Sequence, residues 1–173
     1  VIGIAGDADA VYFVDRPTGK GPNKLYRSPR DGSELVELAE VRGGGSLVAD
    51  STTLYWGARG RDDYTIFAID KDGGAIRTVA VEDRGCGNPG GLALAAGFLY
   101  FAGNQAEGDA GCGGDNYHTV SRVPVEGGEI EDVLAKPDIG PFERIRVHDG
   151  RVFMVMDEPS PRLGYAVLSF PLP

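Results

Sequence analysis

The side chains able to do chemistry in this sequence are few. They comprise two histidines, His118 and His148, two cysteines, Cys86 and Cys112, and acids scattered through glycine-rich segments. An imidazole beside a carboxylate could move a proton, and six to eight carboxylate or carbonyl oxygens could hold calcium. Asp15, Asp62, Asp63, Asp109, Asp115, Asp157 and Glu158 would supply such oxygens. None of their spacings reproduces a calcium loop; Asp109-Ala110-Gly111-Cys112-Gly113-Gly114-Asp115-Asn116 comes nearest. Nucleophile elbows, phosphate-cradling glycine loops and zinc-type Cys/His spacings are all missing. The expected cofactor is none, with calcium the one metal that the loops could take.

What positions these residues is a recurring unit. Val11-Tyr12-Phe13-Val14-Asp15 reads as an aromatic strand, and Leu25-Tyr26-Arg27-Ser28-Pro29-Arg30-Asp31-Gly32-Ser33 as a second strand closed by an Asp-Gly turn. Segments 53–57 with 66–74, and 98–102 with 120–128, restate the pair, and 151–155 with 167–173 is a shortened fourth copy. The aromatic anchors Tyr12, Tyr55, Tyr100 and Phe153 recur at intervals of 43, 45 and 53 residues. Asp-Gly and Gly-Gly provide the positive φ angles that tight hairpins need. Repeats of roughly 40–50 residues made of short strands indicate β-propeller blades. The expected fold is therefore all-β, a propeller of about four blades at 1–45, 46–90, 91–142 and 143–173 in a single domain. The last blade has three expected strands, at 144–147, 151–156 and 166–170. Three arrangements follow: a small closed ring, a segment of a larger ring, or two copies sharing one ring.

Blade topology sorts the loops. In a four-stranded meander the loops between second and third strands share one rim with the connectors between blades. The remaining turns share the other rim. Segments 15–23, 57–63, 103–118 and 157–164 are long and varied, and long loops on a rigid scaffold are where binding usually resides. The expected ligand-binding residues are Asp15, Arg59, Asp62, Asp63, Tyr64, Asn104, Tyr117, His118 and Asp157. Trp56 lies inside a strand and reads as core. Cys86, in the connector entering the third blade, and Cys112, in that blade's long loop, fall on the same rim with glycines around each. A disulfide between them is expected, contributing roughly 3–4 kcal/mol by loop closure and implying an extracytoplasmic location. The first strand of the fourth blade, Glu143-Arg144-Ile145-Arg146-Val147-His148, alternates charge with apolar residues. Arg144 and Arg146 are expected to line the central channel, facing either an anion or carboxylates of neighbouring blades. His118 and His148 fall on opposite rims and cannot share a site.

Tyr12-Phe13-Val14-Asp15, with Leu25-Tyr26-Arg27 and Asp31-Gly32-Ser33, resembles the YWTD repeats of low-density-lipoprotein-receptor-type propellers. It is also similar to the six-bladed TolB-like propellers of bacterial secreted proteins. The second copy keeps Tyr55-Trp56 but continues as Gly57-Ala58, the third continues Tyr100-Phe101 with Ala102-Gly103, and Phe153 is followed by Met154-Val155-Met156-Asp157. The resemblance spans nearly the whole chain and implies propeller blades. Those families usually have six blades, against four repeats here.

The formal charge is −9 and the sequence pI about 4.7, which repels nucleic acid and anionic membranes. No apolar run approaches the ~18 residues of a membrane span. Residues 91–142 carry eight acids against Arg122 and Lys136, which reads as a solvated face, or as one open to a cationic partner. Beginning at Val1, the chain reads as a processed form or as a piece of a longer protein. The function these observations suggest is a non-catalytic ligand- or protein-binding module, secreted or periplasmic. One alternative is a metal-assisted propeller lyase or lactonase using His118 and loop acids. Another is a structural module that builds a larger propeller by homo-oligomerisation.

Overall fold

The computed structural model describes residues 1–60, 63–83, 91–106, 116–136, 142–157 and 165–172. No helix occurs among the described residues, hence none long and apolar enough to cross a membrane. The strands are β1 (Gly3–Gly6), β2 (Ala10–Asp15), β3 (Asn23–Pro29), β4 (Val36–Val41), β5 (Leu47–Ala49), β6 (Thr53–Arg59), β7 (Tyr64–Asp70) and β8 (Arg77–Glu82). They continue as β9 (Leu92–Ala95), β10 (Phe98–Ala106), β11 (Asn116–Pro124), β12 (Glu131–Lys136), β13 (Phe142–His148), β14 (Arg151–Asp157) and β15 (Tyr165–Pro171). They form four antiparallel meanders, β1-β2-β3-β4, β5-β6-β7-β8, β9-β10-β11-β12 and the three-stranded β13-β14-β15. The all-β expectation and the three-stranded last sheet both hold. One loop is corrected. β10 and β11 pair continuously from Phe98↔Pro124 to Ala106↔Asn116, so residues 103–106 and 116–118 of the segment expected as loop are strand. Once a ladder is in register, each further pair of residues gains backbone hydrogen bonds with no new loop to close.

The described residues group into two compact units, Val1–Ala58 with Thr65–Val79, and Arg59–Tyr64 with Ala80–Pro173. The first has a core of Tyr12, Val14, Leu25, Leu47, Leu54, Trp56 and Ile69, among others. The second is built on Tyr100, Val120, Ile145, Val152 and Met154. Strand pleating explains the selection, since alternate residues point to opposite faces. In β2 the alternation is strict: Ala10, Tyr12 and Val14 are buried while Val11, Phe13 and Asp15 are half-buried. β6 is buried at six successive positions, and Leu99 to Ala102 of β10 are likewise all buried. Central strands of the second and third repeats are thus covered on both faces, which is why aromatic pairs such as Tyr55-Trp56 and Tyr100-Phe101 replace the alternation there.

The connector from the first sheet to the second runs close over both. Gly43 and Gly44 have φ of 74° and 100°, and a Cβ on Gly44 would lie 2.8 Å from the methyls of Val14. Glycine meets both demands, a left-handed backbone and close approach. The same connector is held by Trp56, whose indole N–H donates to the Arg42 carbonyl at 3.1 Å. Trp56 also stacks on Phe67, and the Arg42 guanidinium lies 5.7 Å over that second ring.

A backbone bond recurs at the short-turn end of each of the four sheets. The residue just after each third strand donates its N–H to the turn between that sheet's first two strands. The pairs are Arg30 to Asp9 at 3.2 Å, Lys71 to Thr52 at 2.8 Å, Val125 to Gly97 at 3.0 Å and Leu172 to Gly150 at 2.8 Å. In the three four-stranded sheets this bond clamps two turns side by side.

Candidate functional site

Two of these turn pairs, in the first unit, are built around a carboxylate. Asp7 Oδ1 accepts the N–H groups of Asp9 and Ala10, each at 2.9 Å. Asp50 Oδ1 does the same for Thr52 and Thr53, at 2.8 and 2.7 Å. Aspartate can close a turn in this way because its short side chain mimics a backbone carbonyl. The second oxygen of each aspartate accepts a tyrosine hydroxyl five residues on, Tyr12 at 3.4 Å and Tyr55 at 2.8 Å. The third and fourth sheets use another solution, with positive φ at Ala96-Gly97 and Asp149-Gly150.

The turn Asp70-Lys71-Asp72-Gly73 then reaches across to the first sheet. The Lys71 ammonium lies 2.6 Å from Asp7 Oδ2 and 5.5 Å over the Tyr12 ring. Arg27 donates to Asp72 at 3.0 Å. Between these contacts is a cleft of about 460 Å³, lined by Asp7, Asp9, Tyr12, Arg27, Ser51, Thr52, Asp70, Lys71, Asp72 and Gly73. Lys71, with the N–H groups of Ala10 and Asp9, holds the Asp7 carboxyl well below the usual carboxylate range. Burial, then the charge of Asp7, pushes the Tyr12 phenol up. At Asp50 burial works the other way, but the Thr52 N–H, the Tyr55 hydroxyl and the Thr53 N–H outweigh it and lower its pKa.

Chemically, this arrangement is suited to recognition. Asp7 is fully ionised near neutral pH and too weak a base to take a proton, and no histidine lines the cleft. The Asp7–Lys71 and Arg27–Asp72 pairs neutralise one another. Asp9 and Asp70, both exposed, leave the lining with a residual negative charge. Sequence reasoning missed this site because it looked to the long loops. The available signal was the Asp-to-Tyr spacing of five, shared by the first two repeats and lost in the others.

The residues expected to bind a ligand from the long loops are placed on several strands. Asp15 ends β2, half-buried, and Arg59 ends β6, exposed. Asp63 is half-buried, its carbonyl accepting the Gly60 N–H at 2.8 Å. Tyr64 is corrected from a contact residue to a packing one: it is 7% exposed and its ring leans on Phe101 at 5.9 Å. Burial pushes its phenol up. Asn104 lies directly across the ladder from His118, and Tyr117 across from Gln105; Asp157 pairs with Tyr165. Arg144 and Arg146 are exposed on β13, and Arg146 donates to the Ile145 carbonyl at 2.8 Å. Asp62, Cys86, Cys112, Asp109, Asp115 and Glu158 lie outside the described residues, so the expected disulfide does too. No group of three or more His, Cys, Asp or Glu placed to hold a metal occurs among the described residues.

Four antiparallel meanders of this kind define the chain as β-propeller in fold, and solved structures agree. TolB from Acinetobacter baumannii, a β-propeller fold, matches with a TM-score of 0.67 over 98% of this chain and 40% of its own, at 12% identity. An oligogalacturonate lyase from Vibrio parahaemolyticus, also a propeller, matches with a TM-score of 0.65 over 91% of this chain and 45% of its own, at 12% identity. Acylaminoacyl peptidase from Pyrococcus horikoshii gives 0.63 over 96% and 30%, at 14% identity. The chain thus spans less than half the length of each of these structures. No protein-family model matches it, and neither does any curated protein.

Proposed function

We propose that this chain is a non-catalytic binding module of the propeller class, and that it recognises a cationic group through the cleft of the first two repeats. The observation that carries this reading is the cleft itself, whose internal ion pairs cancel and leave the exposed Asp9 and Asp70 to face a ligand. A lysine or arginine side chain of a peptide, or a free amine, fits that chemistry. The long-loop rim is a second recognition surface in this reading, favoured by the exposure of Arg59. An extracytoplasmic location and YWTD-type repeats belong to the same proposal. The supports are the repeat resemblance and the likeness to TolB, and a Cys86–Cys112 bridge is part of the same proposal.

A peptide array with basic, neutral and acidic members, probed at low salt, tests it. The wild type is expected to retain basic peptides. The double variant Asp9→Asn, Asp70→Asn should lose roughly tenfold in affinity, since each exposed charge contributes up to about 1 kcal/mol. Equal retention of basic and acidic peptides, or equal binding by the variant, would overturn the cleft as the site. Conversion of any array member to product would overturn the non-catalytic assignment.

A further inference from the structure

The first and fourth sheets each carry a core on one face and leave the other open, and the open faces bear opposite charge. In the fourth sheet Arg144 lies across from Val155, Arg146 across from Phe153, and His148 across from Arg151. Val155, Phe153 and Arg151 lie in turn across from Val167, Ser169 and Pro171. Residues directly opposite in an antiparallel ladder share a face. The alternate residues Ile145, Val152 and Met154 are 0% exposed, and Leu168 and Phe170 pack beside them. The other face is open: Arg144, Arg146 and Arg151 are exposed, and Val167 is 65% exposed. Arg151 is steadied by the Ser169 hydroxyl at 2.9 Å. From Arg144 to His148 and from Arg151 to Val155 this face has no acid; Asp149, in the adjoining turn, lies 3.3 Å from His148. Three guanidiniums around Phe153 and Val155, on a chain of net charge −9, call for carboxylates from a partner.

The first sheet offers that complement. Ile4 lies across from Phe13, Phe13 from Tyr26 and Tyr26 from Glu37. Asp15, Lys24 and Glu40 form the next row of the same face. Phe13 and Tyr26 stack with centroids 5.5 Å apart. Ile4 is 66% exposed, as are Glu37 and Glu40 in large part. Lys24 answers Glu37, donating at 2.8 Å, and the Val1 ammonium answers Asp15 at 3.2 Å, so Glu40 is the carboxylate in excess. This face too is an aromatic and aliphatic strip edged by charge, of the opposite sign.

We propose that the open face of the fourth sheet docks on the open face of the first sheet of a second copy of this chain. The two patches differ, so the contact is heterologous, with copies joined head to tail. Apolar strips from both sides would be buried together, as between packed sheets about 10 Å apart, with Arg144, Arg146 and Arg151 meeting Glu40 and the exposed Glu37–Lys24 and Asp15–Val1 pairs. None of these residues lines the cleft, so this inference is independent of the ligand reading.

Size-exclusion chromatography with light scattering across a concentration series, at low and high salt, tests it. The wild type is expected to rise to at least twice the monomer mass and to dissociate as salt screens the junction. Arg144→Glu with Arg146→Glu should stay monomeric, as should Glu37→Lys with Glu40→Lys. The chain carrying all four reversals should associate again, because the charges are exchanged rather than lost. Circular dichroism checks that each variant is folded. A wild type that remains monomeric at every concentration overturns the proposal, as does association that neither reversal weakens, or a fourfold variant that does not recover.

Discussion

Asp7 is a carboxylate whose ionisation is tied to tertiary structure. Its partner Lys71 lies 64 residues away in sequence, and that hydrogen bond is the foremost cause of its lowered pKa, ahead of the two backbone N–H groups. A pKa lowered on folding means that the folded state binds its proton less tightly than the unfolded one. The stabilisation is therefore complete above the ordinary carboxylate value of about 3.9 and is lost as the pH falls below it. Denaturant unfolding at a series of pH values should show a steep loss for the wild type below about pH 4. Asp7→Asn should be less stable at neutral pH and flatter through that window. Tyr55 gives the mirror case. Burial, then the bond to Asp50, pushes its phenol up to about 12. Its neutral form is favoured by folding, so stability holds below the ordinary tyrosine value of about 10 and declines as the pH rises toward 12. Phenolate absorbance should show Tyr55 titrating late, and Tyr55→Phe should remove that step.

At the scale of elements, turns and connectors govern where the chain tolerates change. Ala96 sits at φ 49°, beside Gly97 at φ 79°, in a turn whose backbone suits Asn-Gly. A left-handed alanine costs roughly 1–2 kcal/mol, and asparagine relieves part of it. Ala96→Asn should therefore raise the unfolding midpoint, worth about 0.5–1 kcal/mol in denaturant titration. Gly44→Ala should do the reverse. At φ 100°, with Val14 methyls 2.8 Å from the added carbon, a loss of about 2–3 kcal/mol is expected. Both substitutions add a small side chain at positive φ or improve one already there. Their opposite signs follow from open space at Ala96 and contact at Gly44.

For the whole molecule, charge rather than shape is the property that composition reports directly. With −9 formal charge and a pI near 4.7, repulsion keeps copies apart at neutral pH everywhere except at the basic face of the fourth sheet. Turbidity measured from pH 3 to 8 should peak near the pI, where net repulsion vanishes. That peak should shift toward higher pH in the Glu37→Lys, Glu40→Lys variant.

The sequence by itself determined the blades. Period-two alternation, aromatic anchors and Asp-Gly turns act over a few residues, so the strand segments and the three strands of the last sheet were legible without coordinates. The alternation of Arg144, Ile145 and Arg146 was equally plain. Tertiary structure decided what each face meets. Tyr64 reads as an exposed strand start until Phe101 is seen against it. The cleft depends on Lys71 meeting Asp7, and Arg27 meeting Asp72, across separations that no local pattern encodes. A strand's pattern states which residues share a face, but which faces are covered is settled only when sheets pack, because burial is a property of the neighbour as much as of the residue.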